Sequence, residues 1–162
     1  MFIRLAYKKD IDAIANVHLK SWVETYTGVI AQSILDGQSL AKRRLMWDEI
    51  FADPSQKTYV SELEGNICGF MNLKLTAESN ISELKKLYIL NVAQGRGLGR
   101  MFIQTALEIS KHHHYQYMQC RVLSANTSRF FYEKTCAYFV HQSPALDLGE
   151  GLSDLDYQWR IE

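Results

Sequence analysis

The sequence predicts an α/β fold on a mixed, mostly antiparallel sheet of about seven strands. Three observations predict it. First, seven short apolar or alternating runs, residues 2–7, 57–63, 67–75, 81–90, 115–123, 137–141 and 155–161, read as strands. Second, three of these follow one another across the short turns Glu64-Gly65-Asn66 and Glu78-Ser79-Asn80, so they are antiparallel. Third, the run 81–90 leads through a glycine-rich turn into a helix of about 97–112 and then into 115–123. A strand–helix–strand unit of that length is a right-handed crossover between parallel strands.

Composition limits the class. A chain of 162 residues with 47% hydrophobic and 22% charged side chains suits one soluble globular domain, 1–162, with a real core. Eighteen basic and eighteen acidic side chains cancel, so bulk charge favours neither nucleic acid nor an anionic membrane as partner. The start MFIRLAYKKD lacks the apolar core of a leader, and no apolar run nears the roughly 20 residues that cross a bilayer. Cys68, Cys120 and Cys136 form no CxxC pair and fit a reducing, cytoplasmic setting.

In order, Ile3 and Leu5 share a face of the first strand, and Asp10 is placed to cap a helix from Ile11. Ile11, Ile14, Ala15, His18 and Trp22 form one helical stripe, which makes His18 a hydrogen-bonded core histidine. Residues 22–37 turn between helices. Ser39 caps the next, with Leu40, Arg44, Trp47 and Phe51 near helical spacing. In the strand 81–90, Leu87 and Ile89 point to one face and Tyr88 to the other. The following helix puts Leu98, Phe102, Thr105 and Ile109 on one stripe, beside Met101 and Ala106. It ends at His112-His113-His114. Neighbouring helical residues diverge by about 100° and cannot easily share an ion, so these read as a solvated terminus and no metal is expected. The loop 144–154, with Gly149 and Gly151, is expected to flank the substrate opening.

The chemistry concentrates at Gln94-Gly95-Arg96-Gly97-Leu98-Gly99, between a strand and a helix. Glycines remove side chains where a ligand touches backbone, and a helix start offers free N–H groups to an anion. Lys85, Lys86, Arg96 and Arg100 add local positive charge. A dinucleotide fingerprint begun at Gly95 needs glycine at 100, which is Arg100, and no Gly-Lys-Ser/Thr run exists for a P-loop. The segment instead resembles Q/R-x-x-G-x-G/A, the pyrophosphate loop of the GNAT superfamily of acyl-CoA-dependent N-acyltransferases. A second stretch, from Ser124 through Asn126 to Phe131-Tyr132-Glu133-Lys134, resembles the family's Asn-x-x-Ala-x-x-Phe-Tyr-Glu-Lys segment.

The resemblance covers the whole chain in order and carries specific expectations. It implies helices on both faces of the sheet and a splayed parallel strand pair. It implies acetyl-CoA as cosubstrate, with the pyrophosphate on the backbone of Gln94, Gly95, Arg96, Gly97, Leu98, Gly99 and Arg100. Leu87, Tyr88 and Ile89 would pair with the pantetheine as an added strand does, and an amide there, such as that of Ile89, would polarise the thioester carbonyl. Asn126 would contact the pantetheine arm or a phosphate, and Tyr132 would protonate the departing thiolate. The family's usual Gly after the Glu-Lys helix is replaced by Thr135-Cys136-Ala137.

Acyl transfer needs a neutral amine, and only about one lysine-like amine in a thousand is neutral at pH 7. Glu83, read as sharing a face with Leu87 and Ile89, is the expected base, acting through water from about 13–20 Å along the strand. Glu24, Tyr26 and Asp36, between the first two strands, are candidate contacts for a cationic acceptor. The expected partner is a small-molecule or peptide amine, and a homodimer is a family-level expectation. The competing reading is a non-catalytic acyl-CoA sensor or scaffold on the same fold.

Overall fold

Period-two and period-3.6 patterning put six of the seven strands and the helix after the glycine turn within two residues of their expected bounds. The strand read as 137–141 runs on to Pro144, and a short helix occupies part of the stretch 22–37 read as a turn. In the computed structural model, which describes residues 2–162, the chain runs β1 (Ile3–Leu5), a 3-10 turn (Lys8–Asp10), α1 (Ile11–Tyr26), α2 (Gln32–Asp36), α3 (Leu40–Ala52), β2 (Gln56–Leu63), β3 (Asn66–Lys74) and β4 (Ile81–Ile89). A second 3-10 turn (Asn91–Ala93) then leads to α4 (Leu98–His112), β5 (Tyr117–Leu123), α5 (Arg129–Lys134), β6 (Tyr138–Pro144) and β7 (Ser153–Arg160). Among the described residues the strands form one sheet in the order β1-β2-β3-β4-β5-β7-β6. All neighbours are antiparallel except β4 and β5, the parallel pair joined by α4.

Helices cover both faces. On one, α1 buries Ile14, Ala15 and Val17, and α3 buries Trp47 and Ile50, against Val60 of β2 and Phe70 of β3. On the other, Leu98, Phe102, Ile103 and Ala106 of α4 and Tyr132 of α5 pack on Met71, Leu73, Leu84, Met118 and Trp159. A large side chain fully buried contributes about 1.5–3 kcal/mol, so Trp47, Phe70 and Phe102, all 0% exposed, anchor both layers. A third cluster ties Tyr26, Ile30 and Leu35 to Leu123 and to Ala145 of the β6–β7 loop. That loop therefore packs beside the end of α1.

Local details differ from the sequence reading for identifiable reasons. Asp10 does not cap α1 through its side chain. Arg4 instead donates two bonds to its carboxylate (2.8 and 3.1 Å), which also accepts from the Tyr7 N–H, and this pairing holds the carboxyl below its ordinary range. The β2–β3 turn is two residues, not three, because Asn66 already pairs with Leu63. Glu64 and Gly65, at φ 52° and 80°, take the doubly left-handed turn that matches strand twist. The buried face of α4 is Leu98, Phe102, Ile103, Ala106 and Ser110, rotated from the expected stripe so that Thr105 and Ile109 are only half-buried. After α5, Cys136 itself takes the left-handed conformation (φ 68°) that glycine usually supplies.

His18 is the core histidine expected, 2% exposed between α1, α3 and β4. Its Nδ1 accepts from Trp47 Nε1 (3.2 Å), and the rings of Phe70 and Tyr88 lie 5.4 and 4.9 Å away. Burial, reinforced by the positive charges of Arg43 and Lys86, pushes the imidazole down to about 2. The folded chain therefore keeps His18 neutral, while the unfolded chain takes up a proton below pH about 6.5. This stability contribution is intact above about pH 6.5 and falls as pH drops toward 2, by up to about 1.4 kcal/mol per pH unit. Replacing His18 by Asn keeps an acceptor for Trp47 but removes the titration. In urea unfolding, H18N should lose stability less steeply than wild type from pH 6.5 to 4.5; equal slopes would contradict this role.

Candidate active site

The site begins where the sheet opens. β4 and β5 share four register positions, from Ile81 opposite Tyr117 to Leu84 opposite Cys120, and then part. Beyond that point β4 stays paired with β3 and β5 stays paired with β7. The change coincides with a bulge: Leu84 pairs with Leu73 and Lys86 with Asn72, which leaves Lys85 as the extra residue. A bulge bends its strand and increases its twist. The resulting cleft holds a cavity of about 460 Å³, walled by Leu84 to Ile89 of β4, the turn before α4, Val122, Asn126, Phe131 and Tyr132, and Ser21, Thr25 and Tyr26 of α1.

Main-chain polarity in the cleft follows from strand alternation. The Leu90 N–H donates to Cys68 O of β3 (2.9 Å), so Tyr88 and Lys86 turn their main-chain groups to β3 and Leu87 and Ile89 turn theirs to the cleft. The Ile89 carbonyl accepts from Gln94 Nε2 (2.8 Å), which leaves the Leu87 and Ile89 N–H groups facing the gap.

The turn before α4 is built around unpaired donors. Gly95 (φ 72°) and Gly97 (φ 80°) both need the left-handed region. Gln94 braces the corner by donating to Ile89 O and to Asn91 Oδ1 (3.1 Å). Gly97 is the N-cap of α4 and offers no side chain, and the first helical bond is Met101 N–H to Gly97 O (3.1 Å). Among the described residues the N–H groups of Gly95, Arg96, Gly97, Leu98, Gly99 and Arg100 have no acceptor within the chain. Gly99 serves a second need: a Cβ there would lie 3.0 Å from the Phe131 ring, so its bareness lets α5 close on α4. Arg96 is exposed and does not line the cavity; Arg100 does.

Tyr132 is buried at the cavity wall against Phe131 and Trp159 (ring centroids 5.5 and 5.7 Å). Burial raises its phenol well above the ordinary tyrosine range, with Cys120, Tyr88 and Tyr26 adding to the shift, so the hydroxyl stays protonated. Asn126 lines the cavity too. Its Oδ1 accepts from the Ser128 N–H (2.9 Å), two residues short of being the α5 cap, and its Nδ2 reaches Tyr26 Oη (3.5 Å).

Other expected residues lie elsewhere. Glu24 and Asp36 are exposed and outside the cavity, and Asp36 accepts from Gln32 (2.8 Å). Only Tyr26 of that group reaches it. Glu83 does not share a face with Leu87 and Ile89, because the Lys85 bulge reverses the alternation. Leu84, Leu87 and Ile89 pack on the α4 side, and Tyr88 packs on the α1–α3 side. Glu83 pairs with Lys85 (3.2 Å) and lines a smaller recess of about 110 Å³ with Arg121 and Asp156. That recess shares Leu84, Lys85 and Arg121 with the main cavity. Sequence reasoning missed Ser21, Thr25 and Phe131, and placed Lys86 with the phosphate loop. Ser21 and Thr25 do lie three and seven residues beyond His18, near the same helical stripe, and that spacing is the signal that was available. His112, His113 and His114 are exposed at the end of α4. No three His, Cys, Asp or Glu side chains converge on a metal-binding arrangement among the described residues. No helix there is long and apolar enough to cross a membrane.

Known proteins resemble this chain in sequence and in fold. The chain is 27% identical over 135 residues, 81% of its own length and 76% of the relative's, to an uncharacterized N-acetyltransferase, YuaI, of Bacillus subtilis (strain 168). Its fold matches that of the PaiA N-acetyltransferase from Thermoplasma acidophilum in complex with coenzyme A, at a TM-score of 0.78, 20% identity and 99% coverage of both chains. It also matches yncA from Salmonella typhimurium with its cofactor acetyl-CoA, at 0.76 and 18% identity, covering 100% of this chain and 94% of that one. The sequence profile of the acetyltransferase (GNAT) family matches residues 18–138, and the chain belongs to that family.

Proposed function

We propose that this protein is an N-acetyltransferase that moves an acetyl group from acetyl-CoA to a primary amine of a small molecule or peptide. The observation that carries this reading is the row of unpaired N–H groups from Gly95 to Arg100, opening onto the same cavity as the Leu87 and Ile89 amides and Tyr132. Such a corner suits a diphosphate through hydrogen bonds and the helix dipole together. The free edge of β4 suits an extended amide chain. Acetyl-CoA supplies the acyl group as an activated thioester.

The residues divide the remaining work. The Leu87 or Ile89 N–H is aimed into the cleft where the thioester oxygen gains negative charge as the amine attacks. One well-aimed backbone donor of that kind contributes about 3 kcal/mol. Tyr132, kept protonated by burial, donates to the departing sulfur. At reference values of about 10 and 8.5, proton transfer from phenol to thiolate is uphill. The apolar cavity that raises the phenol also raises a thiol brought into it, which keeps the two near each other. Glu83 takes the ammonium proton by way of water through the recess that adjoins the cavity.

A thiol-release screen of amines with purified protein and acetyl-CoA tests the reading. Amine-dependent release is expected; tight CoA binding without release from any amine would instead make the chain a sensor. Tyr132→Phe should lower kcat by about 100-fold or more, within the roughly 10²–10⁴-fold range typical of proton-transfer groups, and leave CoA affinity within about twofold. A kcat equal to wild type would remove Tyr132 from the chemistry. Glu83→Gln should lower the acidic limb of log(kcat/KM) against pH, whereas a profile of unchanged height and shape would exclude it as the base.

A further inference from the structure

The Lys85 bulge turns the Lys86 side chain away from the phosphate corner, toward the α1–α3 face where Tyr88 packs. There Lys86 lines the cavity with Ser21, Thr25 and Tyr26 of α1. Behind it lies Arg43 of α3, whose guanidinium sits over the Trp22 ring (5.3 Å) and donates to Gln38 Oε1 (2.8 Å). We propose that these two cations recognise an acid group on the acceptor, so that the preferred substrate is an amine that also bears a carboxylate or phosphonate. The inference rests on the acetyltransferase reading and names its acceptor class.

Charge and unmet hydrogen bonds carry it. Neither Lys86 nor Arg43 has a carboxylate within 4.0 Å among the described residues. The carboxylates of adjoining elements are engaged or turned out: Asp12 pairs with Arg44 (2.7 Å), Glu83 with Lys85, Asp156 with Arg121 (2.8 Å), and Glu24, Asp48 and Glu49 are exposed. Arg43 Nε is buried without a partner, and so is the Oγ of Ser21, a residue only 3% exposed. Two half-buried cations without a counter-ion are costly, because desolvation is not offset. Lys86 registers that cost directly: burial, with Lys85 and Arg43 adding repulsion, brings its ammonium down to about 8. The CoA phosphates do not fill the gap, since their donors lie at the α4 corner, and the Leu87 and Ile89 side chains point to the opposite face from Lys86. An oxyanion on the acceptor would meet Lys86 and the Ser21 hydroxyl in the cavity, with Arg43 behind them. A polycationic acceptor would be repelled.

The test compares ω-amino acids and ω-aminoalkylphosphonates with the matching ω-amino amides and diamines, at saturating acetyl-CoA. The acids should be preferred by about 30-fold or more in kcat/KM, the scale of one desolvated charged hydrogen bond. Lys86→Met should abolish most of that preference through the acceptor KM and leave the KM for acetyl-CoA unchanged; Lys86→Arg should retain much of it. Equal use of amides or diamines, or a K86M loss of the same size on acids and amides, overturns the proposal. Titrating N-acetylated ω-amino acids and their amides into CoA-loaded protein by calorimetry reads recognition without turnover. Tighter binding of the acids supports the proposal, and equal or undetectable binding of both overturns it. Failure of the acetyltransferase reading looks different: CoA binds, and no amine releases thiol.

Discussion

Two parallel strands that share four register positions and then part leave main-chain donors facing a cleft. A buried donor without a partner costs about 1–3 kcal/mol, so an arrangement of this kind persists only where something outside the chain completes it or water reaches it. Here the Leu87 and Ile89 amides and the corner from Gly95 to Arg100 present such donors along one continuous path. The rest of the fold keeps them apart from partners of their own. β3 holds β4 from one side, β7 holds β5 from the other, and Phe131 wedges α5 against Gly99.

A single inserted residue, Lys85, decides which chemistry faces which way. By reversing the alternation in β4 it puts Leu87 and Ile89 beside α4 and turns Tyr88 and Lys86 toward α1 and α3. The cavity thus has a main-chain wall suited to an extended amide and diphosphate, and a side-chain wall with its own charge. Tyr26, Tyr88 and Tyr132 stand between the two. Burial, with Tyr26 nearby adding to it, holds the Tyr88 and Tyr132 phenols above the ordinary tyrosine range, so both remain neutral donors across the physiological range.

Much of this was legible in the residues. Alternation and turn chemistry located the strands, and the spacing of α4 between β4 and β5 required their parallel pairing. The glycines at 95 and 97 were read as clearing side chains from a ligand's path, and the structure adds that both take the left-handed conformation. What escaped was anything that depends on a phase shift or on distant packing. The Lys85 bulge inserts one residue into an otherwise regular strand, and counting by two back from Leu87 and Ile89 then assigns Glu83 to the wrong face, while Lys86 was grouped with the phosphate loop by charge and chain proximity alone. Gly99 looked like a ligand glycine, but the Phe131 ring 32 positions later explains why a side chain is excluded. Glu24 and Asp36 were chosen by charge and chain position, neither of which reports which side of α1 or α2 meets the cavity.

The central claim is that bare main-chain amides at the start of α4 grip a diphosphate and so aim a thioester along β4. A crystal structure with coenzyme A bound measures this directly. The account predicts pyrophosphate oxygens within hydrogen-bond distance, about 2.7–3.2 Å, of N–H groups between Gly95 and Arg100, with pantetheine amides paired to Leu87 or Ile89. Coenzyme A seated elsewhere, with that corner vacant, would contradict it.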